Sequence, residues 1–141
     1  MPNENITDQF AFKPTGSTTC AIVYSMHHVT RLLETNNFVR CLCIDFSKAF
    51  DTVRHELLLP KLKKLPLLPS IFNWIISFLT GRSQVCKFYN KCSAPCFITS
   101  SIIQGSGIGP TLYIVMESDL HPLSSINVMF KYADDTNLLV P

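Results

Sequence analysis

Apolar residues recur every three or four positions in two stretches of the chain. The first runs from Ser17 or Thr18, either of which suits a helix N-cap, to about Glu34. The second, Ser70 to Thr80, ends at Gly81, a common helix stop. The spacing therefore predicts two amphipathic helices. Their apolar positions are Ile22, Met26, Val29 and Leu33 in the first and Ile71, Trp74, Ile75 and Phe78 in the second.

Short apolar runs bounded by polar residues predict strands. Val39–Ile44 reads as a buried strand that ends at Asp45. Gln84–Tyr89 and Pro95–Ser100 predict one β-hairpin with a longer loop. Asn127–Tyr132 and Asn137–Val140 predict a second hairpin, with residues 133–136 between its strands. Strands paired as hairpins and interspersed with helices indicate an α+β fold.

Two further helices are predicted around proline. Helical character begins near Thr52, and Pro60 should break or kink that helix. Pro110 suits the first position of a helix that reaches about Leu120, after a loop containing three glycines. The chain stops at Pro141 directly after a strand, so a partial domain is expected.

Composition excludes some classes of protein. With 47% hydrophobic and 16% charged residues, the 141-residue chain is not of the intrinsically disordered type. No stretch approaches the roughly 20 apolar residues of a membrane-spanning helix, and no secretory signal is evident. The six cysteines form no zinc-type spacing, so reduced, buried thiols are expected, in a protein of the cytoplasm or nucleus.

Charge is distributed unevenly. Residues 41–100 carry eight basic and three acidic side chains, whereas residues 101–141 carry one basic and four acidic. A basic middle suits phosphate groups and an acidic end suits a cation, although uneven decoration of a solvated surface gives the same pattern.

Three acidic residues are candidates for metal chemistry. Asp45 follows a predicted strand, and Asp134 and Asp135 are adjacent at a predicted hairpin turn. Such a geometry can place two divalent cations about 3.5–4 Å apart for phosphoryl transfer. The alternative is ordinary turn chemistry, since Asp favours turns.

A glycine-rich segment opens the helix at Pro110. Its glycines at 105, 107 and 109 let the backbone approach a ligand, and a helix N-terminus favours anions. An ordinary turn before a helix explains it equally well.

Phe46 and Phe50 stand at helical spacing and suit a hydrophobic core. His27, His28, His55 and His121 show no ligand spacing, so they are predicted to be structural or exposed.

Motifs spread over the chain resemble those of reverse transcriptases from non-LTR retrotransposons, the jockey-like and LINE-like elements. QFAFKPTGSTT from Gln9 is similar to the fingers motif, and DFSKAFDTV from Asp45 matches palm motif A without a change. Gln104-Gly105-Ser106 with Gly109-Pro110 resembles motif B, and YADD at 132–135 resembles motif C. The resemblance implies part of a right-hand polymerase whose antiparallel palm sheet carries helices on one face.

The resemblance also implies roles. Residues 1–141 would form a partial domain, with 9–40 and 60–100 fingers-like and 41–59 and 101–141 in the palm. Catalytic and metal-binding residues would be Asp45, Asp134 and Asp135, with the backbone of Phe46 near Mg²⁺ or, alternatively, Mn²⁺. Nucleotide-binding residues would be Lys13, Ala49, Phe50, Gln104, Gly105 and Ser106, with Phe50 as the steric gate against the ribose 2′-OH.

The implied activity is RNA-directed DNA synthesis, in which a primer 3′-OH attacks a deoxynucleoside triphosphate. An RNA template and a DNA primer are the implied partners, and the thumb and endonuclease of such polyproteins are absent, so activity of this chain alone is doubtful. Departures from the motifs include Gly16 in place of an arginine, Lys13 in place of another, and Ile103 in place of a proline. The alternatives are an inactive remnant that at most binds nucleic acid, and a metal-dependent nuclease.

Overall fold

The structure, a computed structural model, describes residues 6–141, which fall into two compact units. Among these residues, the sheet unit comprises 6–49 and 117–141, and the hairpin unit comprises Phe50–Met116. Both combine helices with antiparallel strands, so the predicted α+β class is confirmed. Among the described residues, no helix has the length and apolar character needed to span a membrane.

Four helices and seven strands follow one another along the described chain. The helices are α1 (Thr18–Leu33), α2 (His55–Lys63), α3 (Pro69–Leu79) and α4 (Gly109–Met116). The strands are β1 (Arg40–Ile44), β2 (Arg82–Gln84), β3 (Lys87–Phe88), β4 (Lys91–Cys92), β5 (Cys96–Ile98), β6 (Val128–Tyr132) and β7 (Asp135–Val140).

The sheet unit is a three-stranded antiparallel sheet in the order β1-β7-β6, with α1 packed against β6. Ser17 begins α1 as predicted, because its side chain accepts the N–H of Cys20 at 3.0 Å. The Tyr24 ring docks the helix, with its centroid 5.1 Å from that of Phe10 and 6.1 Å from that of Phe130. Leu139 on the central strand is fully buried, so the core of this unit lies under β7 and β6.

Burial in the sheet unit differs from the prediction. The strand after residue 39 forms, but all five residues of β1 are exposed, so its prediction as a buried strand is wrong. It is the edge of the sheet and pairs with β7 alone. Likewise, Ile22 and Met26 of α1 are about 60% exposed, and the helix packs through Ala21 and Tyr24 instead. The spacing of apolar residues predicted that this strand and this helix form, whereas the burial of their side chains depends on which other elements pack against them.

The hairpin unit packs α2 against both α3 and α4, around Leu58, Leu79 and Leu112. Its strands form a nested antiparallel arrangement, in which β2 pairs with β5 and β3 pairs with β4. The predicted hairpin is therefore present, but it is divided into two short ladders. A two-residue turn at Tyr89 and Asn90 closes the inner one, and Tyr89 has a φ of 50°.

Other predictions are corrected by the structure. Pro60 was predicted to break or kink this helix, and the break does not occur: α2 continues through Pro60, because buried Leu58 and Leu62 on either side pack it against its neighbours. Helix α4 ends at Met116 rather than near Leu120. All six cysteines are free, as expected, but they are exposed rather than buried, because several lie on edge strands and hairpins.

Candidate active site

Asp45 and Asp135 occupy the matching ends of two adjacent strands in the sheet unit. In the β1–β7 register, Ile44 lies opposite Thr136. One further step places Asp45, which follows β1, opposite Asp135, which begins β7. Residues directly opposite in an antiparallel pair share a face, with Cβ atoms about 4.5–5.5 Å apart. The pairing of these strands therefore brings together two carboxylates that are 90 residues apart in the sequence.

Both carboxylates line one cavity of about 530 Å³. Its walls are α1 on one side and the ends of β1, β6 and β7 on the other. The lining is mostly apolar, and the two aspartates provide its acidic groups. Nearby on β1, the Cys41 thiol is partly shielded from water although the residue as a whole is exposed; this shielding, and then the neighbouring Cys43, raise its pKa, so Cys41 stays protonated near neutral pH and offers no thiolate nucleophile.

Asp134 directly precedes Asp135 in the sequence, but it is not among the residues that line this cavity. Tyr132 pairs with Asp135, so Ala133 and Asp134 form a two-residue turn between β6 and β7. Asp135 is therefore a strand residue, whereas the sequence predicted it within the turn. The structure brings together Asp45 and Asp135 and leaves Asp134 on the turn, next to Asp135 in the sequence.

These oxygen donors suit a hard divalent cation. Mg²⁺ is commonly bound through one or two protein carboxylates together with substrate phosphates, and Asp45 with Asp135 meets that requirement. In the part of the chain that the structure describes, no three His, Cys, Asp or Glu side chains are grouped closely enough to hold a metal ion.

The remaining motif A residues have defined local contacts. The carbonyl of Phe46 accepts the N–H of Ala49 at 3.1 Å, and Ala49 is buried within the sheet unit. Phe50 belongs to the hairpin unit, where its ring stacks on that of Tyr113 with centroids 4.5 Å apart. Motif A thus continues from one unit into the other.

The motif B residues lie in the hairpin unit before α4. Gln104 donates from its side-chain amide to the Asp51 carboxylate at 2.9 Å, which links motif B to the end of motif A. Gly105 has a φ of 84°, a conformation that favours glycine. The Ser106 hydroxyl donates to the carbonyl of Ile103 at 2.7 Å.

Lys13 is engaged locally in the sheet unit. Its ammonium group donates to the carbonyl of Ile6 at 2.9 Å and lies 6.0 Å from the centre of the Phe10 ring. Gly16, which stands in place of a motif arginine, lies against the Phe10 carbonyl so closely that a Cβ would be 2.0 Å from its oxygen. The fold of this segment therefore accommodates glycine and leaves no room for a side chain.

Gln9 and Lys131 were not predicted as site residues, although both are polar and almost fully buried beside the turn between β6 and β7. Each is 2% exposed. Gln9 opens the fingers motif, and Lys131 immediately precedes the YADD motif, so their positions next to recognisable motifs were the available signal. The burial of these two side chains depends on how the strands pair, and the spacing of residues along the sequence does not reveal that pairing.

Carboxylates that line one cavity are ligands of the kind with which phosphoryl-transfer enzymes hold divalent cations. The family described as "Reverse transcriptase (RNA-dependent DNA polymerase)" matches residues 1–141. The chain therefore belongs to the reverse transcriptase family, and its relatives place it with the non-LTR retrotransposon members.

Three relatives illustrate this similarity. The chain is 30% identical over 138 residues to the "Probable RNA-directed DNA polymerase from transposon BS" of Drosophila melanogaster. It is equally similar, over the same length, to the "RNA-directed DNA polymerase from mobile element jockey" of Drosophila funebris. Identity is 26% over 132 residues to the "Probable RNA-directed DNA polymerase from transposon X-element" of Drosophila melanogaster. The first two alignments cover 93% of this chain but only 15% of the relatives' length.

Proposed function

We propose that this chain is part of an RNA-directed DNA polymerase of a retrotransposable element. The reaction is the addition of deoxynucleotides to a primer 3′-OH by two-metal phosphoryl transfer. The observation that supports this proposal best is the shared cavity of Asp45 and Asp135 at paired strand ends, in a chain of the reverse transcriptase family. Residues 41–59 and 101–141 are assigned to the palm, and residues 9–40 and 60–100 to a fingers-like region.

The carboxylates of the sheet unit are the proposed ligands. Asp45 and Asp135 hold Mg²⁺, or alternatively Mn²⁺, and Asp134 on the adjoining turn completes the set with the Phe46 carbonyl. When bound, such cations stabilise the attacking and leaving oxygens of an in-line displacement. The Phe46 carbonyl already accepts the N–H of Ala49, which fixes its orientation and leaves its second lone pair for a ligand.

Nucleotide selection is assigned to side chains held by local contacts. Phe50 rejects a ribose 2′-OH by its bulk, and stacking on Tyr113 restrains the ring so that it cannot easily move aside. Gln104, Gly105 and Ser106 contact the template–nucleotide pair. Lys13 and Ala49 contact the triphosphate, and Lys13 must first release the Ile6 carbonyl to do so.

The RNA template and DNA primer are proposed to contact the hairpin unit. No acidic side chain occurs between Glu56 and Glu117, whereas six basic side chains do. The aromatic rings of Phe88, Tyr89 and Phe97 on its hairpins are each at least 75% exposed. Exposed rings beside lysines form the kind of surface on which unpaired bases stack while phosphates meet the positive charges.

Primer extension tests the activity. Because the chain spans 15% of its relatives' length, the informative protein is the jockey polymerase with its matching segment replaced by this chain. We expect it to extend a DNA primer on an RNA template with Mg²⁺. Asp45→Asn should reduce the rate by more than about a thousandfold, since the contribution of the cation to the barrier is several kcal/mol.

Glu34→Gln is the matched control, because it removes one carboxylate from the same unit at an exposed position outside the cavity. It should extend the primer normally. Equal rates for the Asp45→Asn and Glu34→Gln proteins would contradict the assignment of Asp45. Shortening of the primer would support a nuclease instead, and absence of both activities in every version would support an inactive remnant.

A further inference from the structure

The turn that carries Asp134 has an unusual conformation for its sequence. Ala133 is the first residue of the two-residue turn between β6 and β7, and its φ is 56°. This left-handed region favours glycine, because a Cβ crowds the following carbonyl oxygen. Hairpin turns with a positive φ at that position usually contain Gly or Asn. A contact from outside the hairpin would offset this cost by holding Ala133 in place.

Gln9 provides that contact from the other end of the sequence. Its Nε2 donates to the carbonyl of Ala133 at 3.0 Å, and its Oε1 accepts the N–H of Ala133, also at 3.0 Å. The same Oε1 accepts the N–H of Ala11 at 2.9 Å. One side-chain amide thus binds both polar backbone groups of Ala133, and at 2% exposure it does so away from competing water.

The segment that carries Gln9 is attached to β6 independently of this amide. Phe10 donates its N–H to the Lys131 carbonyl at 2.9 Å, and Lys131 donates its own N–H to the Asp8 carbonyl at 2.7 Å. The buried Lys131 ammonium group forms an ion pair with Asp8 at 3.2 Å and donates to the Leu120 carbonyl at 2.8 Å. The segment can therefore remain in place when the Gln9 side chain changes.

We infer that Gln9 is a positioning residue for the candidate active site. By holding both backbone groups of Ala133, it fixes the turn and hence Asp134 and Asp135, which follow directly, with respect to Asp45. Its role in catalysis rests on the function proposed above. Its role in holding the turn rests only on the contacts of its side chain.

Amide hydrogen exchange of the full chain, followed by NMR, tests the inference without metal. Gln9→Met keeps the size of the side chain and removes its hydrogen bonds to Ala133. We expect exchange at the amides of residues 133–135 to accelerate by about tenfold or more, because the turn then opens locally. Asp8→Asn is the matched control, since it weakens the ion pair of the same segment and should affect residues 8–11 and Lys131 instead.

A second substitution separates positioning from general stability. Ala133→Gly removes the conformational strain, so Gln9→Met should accelerate exchange much less in that background. Equal acceleration in both backgrounds, or unchanged exchange at residues 133–135, would overturn the inference. If Gln9→Met does not fold, Gln9→Glu replaces it, because it retains the acceptor and removes the donor to the Ala133 carbonyl.

Mn²⁺ affinity, measured by electron paramagnetic resonance of the free ion, connects the turn to the site. Gln9→Met should weaken binding by about tenfold, as loss of supporting contacts around metal ligands commonly does, and Ala133→Gly should restore part of it. Unchanged Mn²⁺ affinity in the Gln9→Met protein would overturn the role of Gln9 in the site. Failure of the unaltered chain to bind Mn²⁺ would overturn the proposed metal site, and the exchange data would then decide the inference about the turn.

Discussion

The two units of this chain differ in charge and in how they use their polar residues. The hairpin unit has seven basic and two acidic side chains, whereas the described residues of the sheet unit include five basic and seven acidic. The sheet unit directs two carboxylates into one cavity, and the hairpin unit exposes aromatic rings beside lysines. A cation suits the first arrangement and a nucleic acid suits the second. The small net charge of +2 is therefore the sum of a basic hairpin unit and an acidic sheet unit.

The units also differ in the space around one glycine of their motif loops. In the sheet unit, the segment of residues 8–16 is fixed by buried hydrogen bonds and by close packing at Gly16. In the hairpin unit, a Cβ at Gly107 of motif B would meet no atom within 4 Å. A side chain is therefore excluded at Gly16 and admitted at Gly107.

The largest expected effect is the loss of folding stability when Gly16 is replaced with alanine. Gly16→Ala places its Cβ 2.0 Å from the Phe10 carbonyl oxygen, so the backbone must move. We expect it to lower the free energy of unfolding by more than about 2 kcal/mol, in the range of other overpacked sites. Gly107→Ala is the matched control and should change it by no more than about 0.5 kcal/mol. Urea unfolding followed by circular dichroism measures both.

Equal losses in the two variants would show that the two positions do not differ in the room they leave for a side chain. The comparison also bears on the missing arginine of the fingers motif. Because no side chain fits at Gly16, Gly16→Arg should destabilise the chain rather than restore a phosphate contact.

These differences mark the limits of prediction from the sequence. Local signals identified α1, because Ser17 caps it, and the final hairpin, because its apolar strands flank a short polar turn. They misassigned Asp135 to the turn, since the tight turn at Ala133 is stabilised by Gln9, 124 positions away. Motif identity pointed to the three aspartates, and the sheet register then showed that Asp45 and Asp135 share a cavity.

The next largest effect tests the aromatic surface of the hairpin unit. Phe88 and Tyr89 are 75% and 83% exposed, and their ring centroids lie 4.7 Å apart. Replacing either with Leu should weaken binding of single-stranded RNA by about 1–3 kcal/mol, the usual contribution of one base stacked on an aromatic ring. Phe38→Leu, an exposed aromatic of the sheet unit, should have no effect. Fluorescence anisotropy with a labelled oligonucleotide provides the measurement, and equal effects at Phe38 and Tyr89 would argue against a specific surface.

Lysines next to those rings should have a smaller effect that depends on salt. Lys87→Gln and Lys91→Gln each remove one exposed positive charge from the inner hairpin ladder. If each meets a phosphate, the slope of log affinity against log salt concentration should become shallower by about 0.7 per lysine, the value for single strands. Arg31→Gln removes an exposed charge from the sheet unit and should leave the slope unchanged. A slope that responds equally to all three substitutions would mean that net charge alone drives binding.

The smallest expected effect concerns pH and the sheet unit alone. Burial chiefly lowers the pKa of His28, with further lowering from the positive charges of His27 and Arg31. Its ring packs 4.3 Å from that of Tyr24, which docks α1 onto the sheet. Because the folded pKa lies below the unfolded value of about 6.5, the unfolded chain takes up the proton first as pH falls. The stability associated with neutral His28 is therefore fully present above pH ~6.5 and is lost as pH falls toward the folded pKa.

Unfolding in urea at several pH values across this range should show a shallower decline for His28→Gln than for His121→Gln, an exposed histidine of the same unit. The difference should be modest because His28 is only half-buried, and identical declines would show that this contact does not couple protonation to the docking of α1.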